Sequence, residues 1–285
     1  MQTSSDRFNT LAENFARSEV HRTSPSMHRM AALLEPMPNM QILDIACGPG
    51  HFGSSLAHKA TSIIGIDPSP RMLEEFSKAS KSFSIPSATR VGHAEQIPAE
   101  ANEFDLAISR LAPHHFSDIK IAIAELYRVT KPRGLIGIID LQGHENPRFD
   151  TLLHILEMLH DPTHVRSYTV NTWQKLLQNA GFQILTMEVG LSEKPGGITV
   201  QRWCEIGQSG TNAEKAINEV LEWADPEALK ALGIEKRDAQ FFYPVRSCLI
   251  LACKVLDQER KYHAAHREEC CAAPSWADPQ RGRAT

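Results

Sequence analysis

Two aspartates, each at the end of a short apolar run, flank a glycine loop, and their types and spacing could do chemistry. The stretch Gln41 to Asp67, QILDIACGPGHFGSSLAHKATSIIGID, reads as strand, glycine loop, helix and second strand. Asp44 lies in the run Ile42–Leu43 with Ile45, and Asp67 closes the run Ser62 to Ile66. Cys47-Gly48-Pro49-Gly50 must bend sharply and approach something closely, which glycine permits because it lacks a Cβ and tolerates positive φ. His51 to Lys59 is long enough for a helix, and a helix start beside such a loop offers backbone N–H groups to a polar ligand. An acid about 20 residues further on is the arrangement that grips ribose hydroxyls. These features describe a nucleotide-type site.

Gly48-x-Gly50-x-x-Gly53 also matches the dinucleotide fingerprint, and Asp44 is the discriminating residue. A carboxylate there would face a pyrophosphate and repel it, whereas it suits the amino group of a methionine moiety. S-adenosylmethionine has no phosphate, a cationic sulfonium and an amino-acid end, so an acid-rich loop fits it better than NAD. A merely structural glycine turn in a βαβ unit is the plain alternative.

The run Asp44-Ile-Ala-Cys-Gly-Pro-Gly50 resembles the first motif of class I S-adenosylmethionine-dependent methyltransferases. That family usually has glycine where this chain has Ala46, and a methyl group there is tolerable if the residue's φ is negative. The resemblance implies S-adenosyl-L-methionine as cofactor. It also implies an α/β fold with a doubly wound, seven-stranded, mostly parallel Rossmann-like sheet, an N-terminal helical lid and a helical cap inserted before the last strand. Residues 1–38 would be the lid arm and 39–256 the methyltransferase domain, with cap segments at about 142–170 and 192–240. Asp44, Ala46, Gly48 and Gly50 would hold the methionine end, and Asp67, with Pro68 beside it, the ribose.

The elements that must position these groups follow from the patterning. Phe8, Leu11 and Phe15 make one helical stripe, and Met27, Met30, Leu33 and Leu34 another, with a polar break from Arg17 to His21. Pro36 and Pro38 end the segment. In methyltransferases resembling this one such an arm folds over the cofactor, which would make Phe15, Ser18 and His21 lid residues. A surface histidine at a helix end is the competing role for His21. Ser69 is a good N-cap and Pro70 suits the first helical position of a helix to Ser80. Its buried face carries Met72, Leu73 and Phe76, and Met72 could also lie on the adenine. After a short strand, Thr89 to Gly92, His93-Ala94-Glu95 resembles the family's second cofactor loop. His93 stands where an acid usually accepts from the adenine amino group, and a neutral imidazole nitrogen can also accept.

Phe104 to Arg110 is the fourth strand and runs into Leu111-Ala-Pro-His114-His115-Phe116. Polar groups at the carboxyl end of a parallel strand face the ligand crevice, which brings in Ser109 and Arg110. Adjacent histidines point in different directions, so at most one is expected to meet substrate. His114 is the candidate base, with His115 as its structural neighbour at the substrate end. A helix over Ile119 to Val129 and a strand over Leu135 to Leu141 follow, and RVTKPRGLIGIID matches the family.

From Asn146 on, the chain resembles a narrower branch, small-molecule methyltransferases akin to those of ubiquinone and menaquinone biosynthesis. The matching pieces are Ser109-Arg110, His114-His115-Phe116, Asp161-Pro-Thr-His164-Val-Arg166-Ser-Tyr168, Trp173 and Gly181-Phe182. The loop carrying His164, Arg166 and Tyr168 falls where a cap over the active site would be, although three such residues also make an ordinary hydrogen-bonded corner. Gln183 to Val189 is a sixth strand and Phe241 to Lys254 the seventh. Between them Val200 to Leu232 shows helical stripes, with Trp203 the candidate pocket aromatic and core packing its alternative.

With 285 residues and 42% hydrophobic content, one large α/β domain can bury a full core. A net charge of −4 gives no electrostatic footprint for nucleic acid. The N-terminus MQTSSDRFNT lacks the apolar region of a signal peptide, and no apolar run approaches a membrane span. The six cysteines form no CxxC pair and no zinc spacing, so no metal is expected and reduced thiols of a cytoplasmic protein are the reading. Residues 257–285 mix charges, alanine and proline without period and are expected to stay disordered. The Cys270-Cys271 pair in that tail resembles cysteine pairs of arsenite methyltransferases, without a third matching cysteine.

The expected activity is therefore transfer of the sulfonium methyl to an O, N or C nucleophile of a small molecule in biosynthesis, with homo-oligomerisation left open. Alternatives are a cofactor-bound cyclase or pericyclase of the same fold, a nicotinamide-dependent reductase, and a binding protein that transfers nothing.

Overall fold

The computed structural model describes residues 3–18, 22–34 and 39–256. His21, Pro36, Pro38 and the tail with Cys270-Cys271 lie outside them. The described elements begin with helices α1 (Ser4–Arg17) and α2 (Pro25–Leu33). Strand β1 (Met40–Ile45), helix α3 (His51–Leu56), strand β2 (Ala60–Asp67), helix α4 (Pro70–Ser80) and strand β3 (Ser87–Val91) follow. Next come β4 (Phe104–Arg110), α5 (Ile119–Val129), β5 (Thr130–Leu141), α6 (Pro147–His160), α7 (Val170–Ala180) and β6 (Phe182–Ser192). The chain continues through β7 (Ile198–Thr199), α8 (Val200–Gly207), α9 (Gly210–Trp223) and α10 (Pro226–Leu232). Strands β8 (Glu235–Arg237), β9 (Gln240–Tyr243) and β10 (Arg246–Lys254) complete it.

Seven strands form one sheet in the order β3-β2-β1-β4-β5-β10-β6. β1 pairs in parallel with β2 and β4, as do β2 with β3 and β4 with β5, while β10 is antiparallel to β5 and β6. The order reverses direction between β1 and β4, so a crevice opens at the carboxyl ends of those strands. Strand side chains alternate between two cores. Leu43, Ala107, Ile136, Ile138 and Ile250 pack with α5 and with Trp173 and Leu177 of α7. Ile42, Leu106, Ile108, Leu135 and Leu249 pack with Met27 and Met30 of α2, Phe52 of α3, and Leu73 and Phe76 of α4. This period-two alternation covers both faces of the sheet with helices.

One expected boundary moves. Phe241 to Tyr243 do not begin the seventh main strand; they belong to β9, which pairs with β7 and β8 in a separate three-stranded sheet. Pro244 supplies no N–H for a ladder, and Val245 has φ 42°, so the chain turns before β10 starts at Arg246. The small sheet joins α6, α8, α9 and α10 around a third core of Leu156, Trp203, Ile217, Leu221, Phe241 and Tyr243.

Helix α1 starts with a capping box between Thr3 and Asp6. It lies against the loop after β2: Ser5 donates to the Pro68 carbonyl at 2.8 Å, and Asn9 Oδ1 accepts from Ser69 Oγ at 2.7 Å.

Candidate functional site

The carboxyl ends of β1, β2 and β4 open onto a cavity of about 690 Å³ whose opposite wall is α1. Its floor is built from β1 and β2. Asp44 is buried, and its Oδ2 accepts from the Gly53 amide at 2.9 Å. Asp67 is also buried; Oδ2 accepts from the Gly48 amide at 2.9 Å and Oδ1 from the Ser69 amide at 2.8 Å. The Cys47 amide donates to the Ile66 carbonyl and the Gly50 amide to the Cys47 carbonyl. The amides of Cys47, Gly48, Gly50 and Gly53 are thus engaged within the chain. A phosphate cradle needs such amides free.

Burial drives both floor carboxyls upward. Asp44 is pushed to about 8, with the Gly53 amide working against the shift. Asp67 is pushed to about 6, opposed by the amides of Ser69 and Gly48. Two carboxyl groups in a poorly solvated floor favour a ligand that brings positive charge.

Two strands end in strained turns at this wall. Ala46 follows β1 with φ 50°, not the negative φ under which its methyl group would be comfortable, and Leu111 follows β4 with φ 48°. Gly48 has φ 51°, and a Cβ there would lie 3.9 Å from Met72 Sδ, so the glycine fills its place without crowding the methionine. Gly50, at φ 83°, faces away: a Cβ would meet the Phe76 ring at 2.5 Å.

The lid side is aromatic. Phe8 and Phe15 of α1 line the cavity and pack edge-to-face with centroids 5.7 Å apart, and the Phe15 carbonyl lies 3.1 Å from His51 Nε2. Arg7, on the same helix, ion-pairs with Asp161 at 2.9 Å and donates to the Gly207 carbonyl at 2.7 Å. The helix is therefore anchored to the main sheet through Asn9 and to the cap through Arg7.

The two histidines divide as their adjacency requires, with His115 at the cavity wall and His114 behind it. His114 Nδ1 lies 2.6 Å from Asp140 Oδ1, and its carbonyl accepts from the amides of Val165 and Arg166. Burial opposes a charge on His114, but the Asp140 carboxylate outweighs it and raises the histidine above its usual range. His115 Nδ1 lies 3.0 Å from the Thr163 carbonyl. A carbonyl only accepts, so the hydrogen-bond network assigns the proton to Nδ1 and the lone pair to Nε2. Burial, and then the neighbouring His114, hold His115 down at about 3.

Of the residues singled out in the sequence, the cavity wall brings together Phe15, Asp44, Ala46, Gly48, Asp67, Pro68, Met72, His93, Ala94, Glu95, Arg110 and His115. Gly50, Ser18, Ser109, His114, His164, Arg166, Tyr168 and Trp203 are not on that wall. Glu95 accepts from the Ser117 and Asp118 amides and from Ser117 Oγ, which holds the turn into α5. Arg110 pairs with Glu193 at 3.1 Å and donates to Ser24. His164 stacks behind His114 with ring centroids 5.3 Å apart, and burial lowers it to about 2. Arg166 pairs with Asp150, and Tyr168 sits edge-on to Trp173. Trp203 lies between His160 and Tyr243 at 4.1 and 4.0 Å, so it is a core residue of the cap. Phe8, His51, Thr163 and Val165 line the cavity without having been singled out as site residues. Phe8 read only as part of an apolar stripe, and Thr163 is placed by the turn after α6, which no local pattern reports.

The family described as methyltransferase domain matches residues 43–138, the segment that builds this floor and the β4 wall. Methyltransferase YcgJ of Bacillus subtilis is 28% identical over 248 residues, which cover 87% of this chain and 96% of YcgJ. Its crystal structure superposes with a TM-score of 0.73 at 27% identity, over 81% of this chain and 98% of that one. Methyltransferase sll0829 of Synechocystis is 32% identical over 152 residues, 52% of this chain and 69% of that relative. The ubiquinone biosynthesis O-methyltransferase of Rhizobium etli is 27% identical over 103 residues, 36% of this chain and 42% of that relative. With its seven-stranded sheet, buried acid pair and these relatives, the chain belongs to the class I S-adenosylmethionine-dependent methyltransferases.

Proposed function

We propose that the floor of the cavity holds S-adenosylmethionine and that the space under α1 seats a small uncharged acceptor, with His115 beside its nucleophile. The observation that carries this reading is that the amides of Cys47, Gly48, Gly50 and Gly53 are spent on Asp44, Asp67 and the backbone. It leaves no phosphate cradle among those amides and keeps two carboxyl groups at the floor, a fit for a cationic, phosphate-free nucleoside. Asp44 with Ala46 and Gly48 would take the methionine end and Asp67 the ribose hydroxyls, for which its carboxylate retains lone pairs. Met72, His93 and Ala94 would border the adenine.

Bound there, the cofactor supplies an electrophilic methyl group on a cationic sulfonium. The chain's own residues position the acceptor and exclude water. Phe8, Phe15, Phe116 and Val165 offer an apolar enclosure, and positioning of this kind contributes roughly 7–11 kcal/mol to a two-reactant step. His115 Nε2 can accept a hydrogen bond from the nucleophile and take its proton late, once the methylated atom has become strongly acidic; held near 3, the imidazole is a weak base and contributes mainly by orienting the nucleophile. His114, held by Asp140, is a positioning residue whose carbonyl fixes Val165 and Arg166.

The charged groups around the acceptor space are already engaged: Arg110 by Glu193, Asp161 by Arg7, Glu95 by the Ser117 and Asp118 amides. Among the described residues, the arginine on the cavity wall, Arg110, already has Glu193 as its partner, which favours an uncharged hydroxyl or amine on the acceptor over a carboxylate or phosphate. The ubiquinone biosynthesis relative, an O-methyltransferase by name, agrees with a hydroxyl. Among the described residues no helix is long and apolar enough to cross a membrane. The net charge of −4 gives no basic footprint for a nucleic-acid partner.

Calorimetric titration with S-adenosylhomocysteine, with NADH as control, tests the cofactor half. Micromolar binding of the former alone is expected, and NADH binding instead would overturn it. A screen of uncharged phenols, quinols and amines against their carboxylated counterparts tests the acceptor half, and preferential methylation of the carboxylated set would sink it.

A further inference from the structure

We infer that Asp161 is a positioning residue that couples docking of helix α1 to the tautomer and charge of His115. The inference rests on reading His115 as the group beside the acceptor.

Asp161 follows α6 and faces two ways. Toward the lid, Oδ1 ion-pairs with Arg7 of α1 at 2.9 Å. Toward the cavity, the same oxygen accepts from the Thr163 amide at 2.8 Å and from Thr163 Oγ1 at 2.7 Å. That pair of bonds fixes Thr163, whose carbonyl receives the Nδ1–H of His115. Thr163 Oγ1 spends its own proton on Asp161, so its lone pair also faces His115 Nδ1, at 3.4 Å. Both Thr163 oxygens near Nδ1 are therefore acceptors, and the Nε2 lone pair is the consequence. Phe8 of α1 completes the arrangement, edge-on to the His115 ring at 5.1 Å.

Burial and then His114, in the same turn, disfavour a charge on this ring, Asp161 and the Thr163 carbonyl favour it, and Arg7 of α1 opposes Asp161 in part; His164, from the stretch after α6, lies edge-on to the ring at 6.3 Å. With α1 docked, His115 is neutral and its lone pair is available. With α1 displaced, the ring loses the cover of Phe8 and the opposing charge of Arg7, so the Asp161 carboxylate behind Thr163 draws its protonation toward higher pH. Docking of the lid would thus assemble the base as well as enclose the site.

The test uses the 15N-labelled full chain and long-range 1H–15N spectra of the imidazole nitrogens between about pH 4 and 8, with the His115 signal assigned by its loss in H115Q. In the wild type, His115 is expected neutral with the proton on Nδ1 throughout. Arg7→Gln keeps a donor for the Gly207 carbonyl and removes the charge; His115 should then begin to take up a proton at the acid end of that window. The double variant R7Q/D161N should return it to neutral, as should Arg7→Lys. A wild-type proton on Nε2, an R7Q ring that titrates like the wild type, or a double variant that behaves like R7Q would each overturn the inference. A lid that merely covers the site predicts no such reversal. Spectra with and without S-adenosylhomocysteine separate the two readings: failure to bind it counts against the cofactor assignment, and the His115 signals decide this one.

Discussion

Asp44 and Gly53 are fitted to each other. The Gly53 amide donates to Asp44 Oδ2 at 2.9 Å, and a Cβ on residue 53 would lie 2.9 Å from that same oxygen. The third glycine of the loop is therefore present for a carboxylate, not for a phosphate. Gly53→Ala should displace Asp44 and weaken S-adenosylhomocysteine binding by at least about tenfold, the loss expected for about 1.4 kcal/mol of misplaced hydrogen bonding. Unchanged affinity in a titration of the folded variant would remove Asp44 from the cofactor site.

Asp67 supports the loop and, on the proposed reading, the ribose. Asp67→Asn keeps the shape, but its amide nitrogen cannot accept from the backbone. Orphaning one of the Gly48 and Ser69 amides should cost about 1–3 kcal/mol of stability as well as cofactor affinity. Calorimetry and thermal melts together measure both, and a variant that loses only stability would leave Asp67 a purely structural residue.

Ala46 pays for its left-handed φ of 50°. Such a conformation costs an L-residue roughly 1–2 kcal/mol, while glycine loses about 0.4–1 kcal/mol through the freedom of the unfolded chain. Ala46→Gly should therefore raise stability by about 0.5–1 kcal/mol, seen as a rise in Tm of about 1–4 °C. A lower Tm would mean that the methyl group makes contacts worth more than the strain.

The free protein should lose stability as pH rises through neutrality. Burial holds the Asp44 carboxyl near 8 and Glu157 near 7, well above ordinary carboxyl values. Above about pH 5 the unfolded chain has given up these protons, whereas the folded one keeps that of Glu157 to about 7 and that of Asp44 to about 8. The folded state then binds more protons, and its stability falls with pH, by up to about 1.4 kcal/mol per pH unit per proton. Below about 6.5 the trend mixes with His115, His160 and His164, whose lowered values act in the opposite sense. Denaturation at pH 7 and 8 should show the fall, and Asp44→Asn should flatten it; an equal slope in the variant would assign the effect elsewhere.

The adjacent histidines should separate stability from turnover. His114→Ala leaves Asp140 buried without its partner, a change of the kind that costs about 3–5 kcal/mol. His115→Ala should fold normally and lose up to about tenfold in methyl transfer to whichever acceptor the screen identifies, the worth of one orienting hydrogen bond. Reversal of these two phenotypes would exchange the roles.

Much of this protein is local, and therefore present in the sequence. The run from Gln41 to Asp67 specifies strand, loop, helix and strand through apolar blocks, glycines and an acid near the end of each strand, all within one βαβ unit. The Ser69-Pro70 start of α4 and the Gly181 stop of α7, at φ 103°, are equally local signals. The cavity wall follows because its residues sit at the ends of strands whose order the βαβ handedness rules constrain.

What remained for the tertiary structure lies between elements far apart in sequence. Trp203 becomes core because Tyr243 and His160 close on both its faces, and Tyr243 leaves the main sheet because Pro244 and Val245 turn the chain. His115 rather than His114 reaches the cavity because Asp140, 26 residues away, holds one ring while Thr163, 48 residues away, turns the other. The sequence by itself determined the strand–loop–strand frame and the acids at the floor of the cavity. Which histidine lines that cavity, and which carboxylate pairs with α1, depended on long-range packing that brings Arg7, His115 and Asp161 together, and no periodicity along the chain encodes such a meeting.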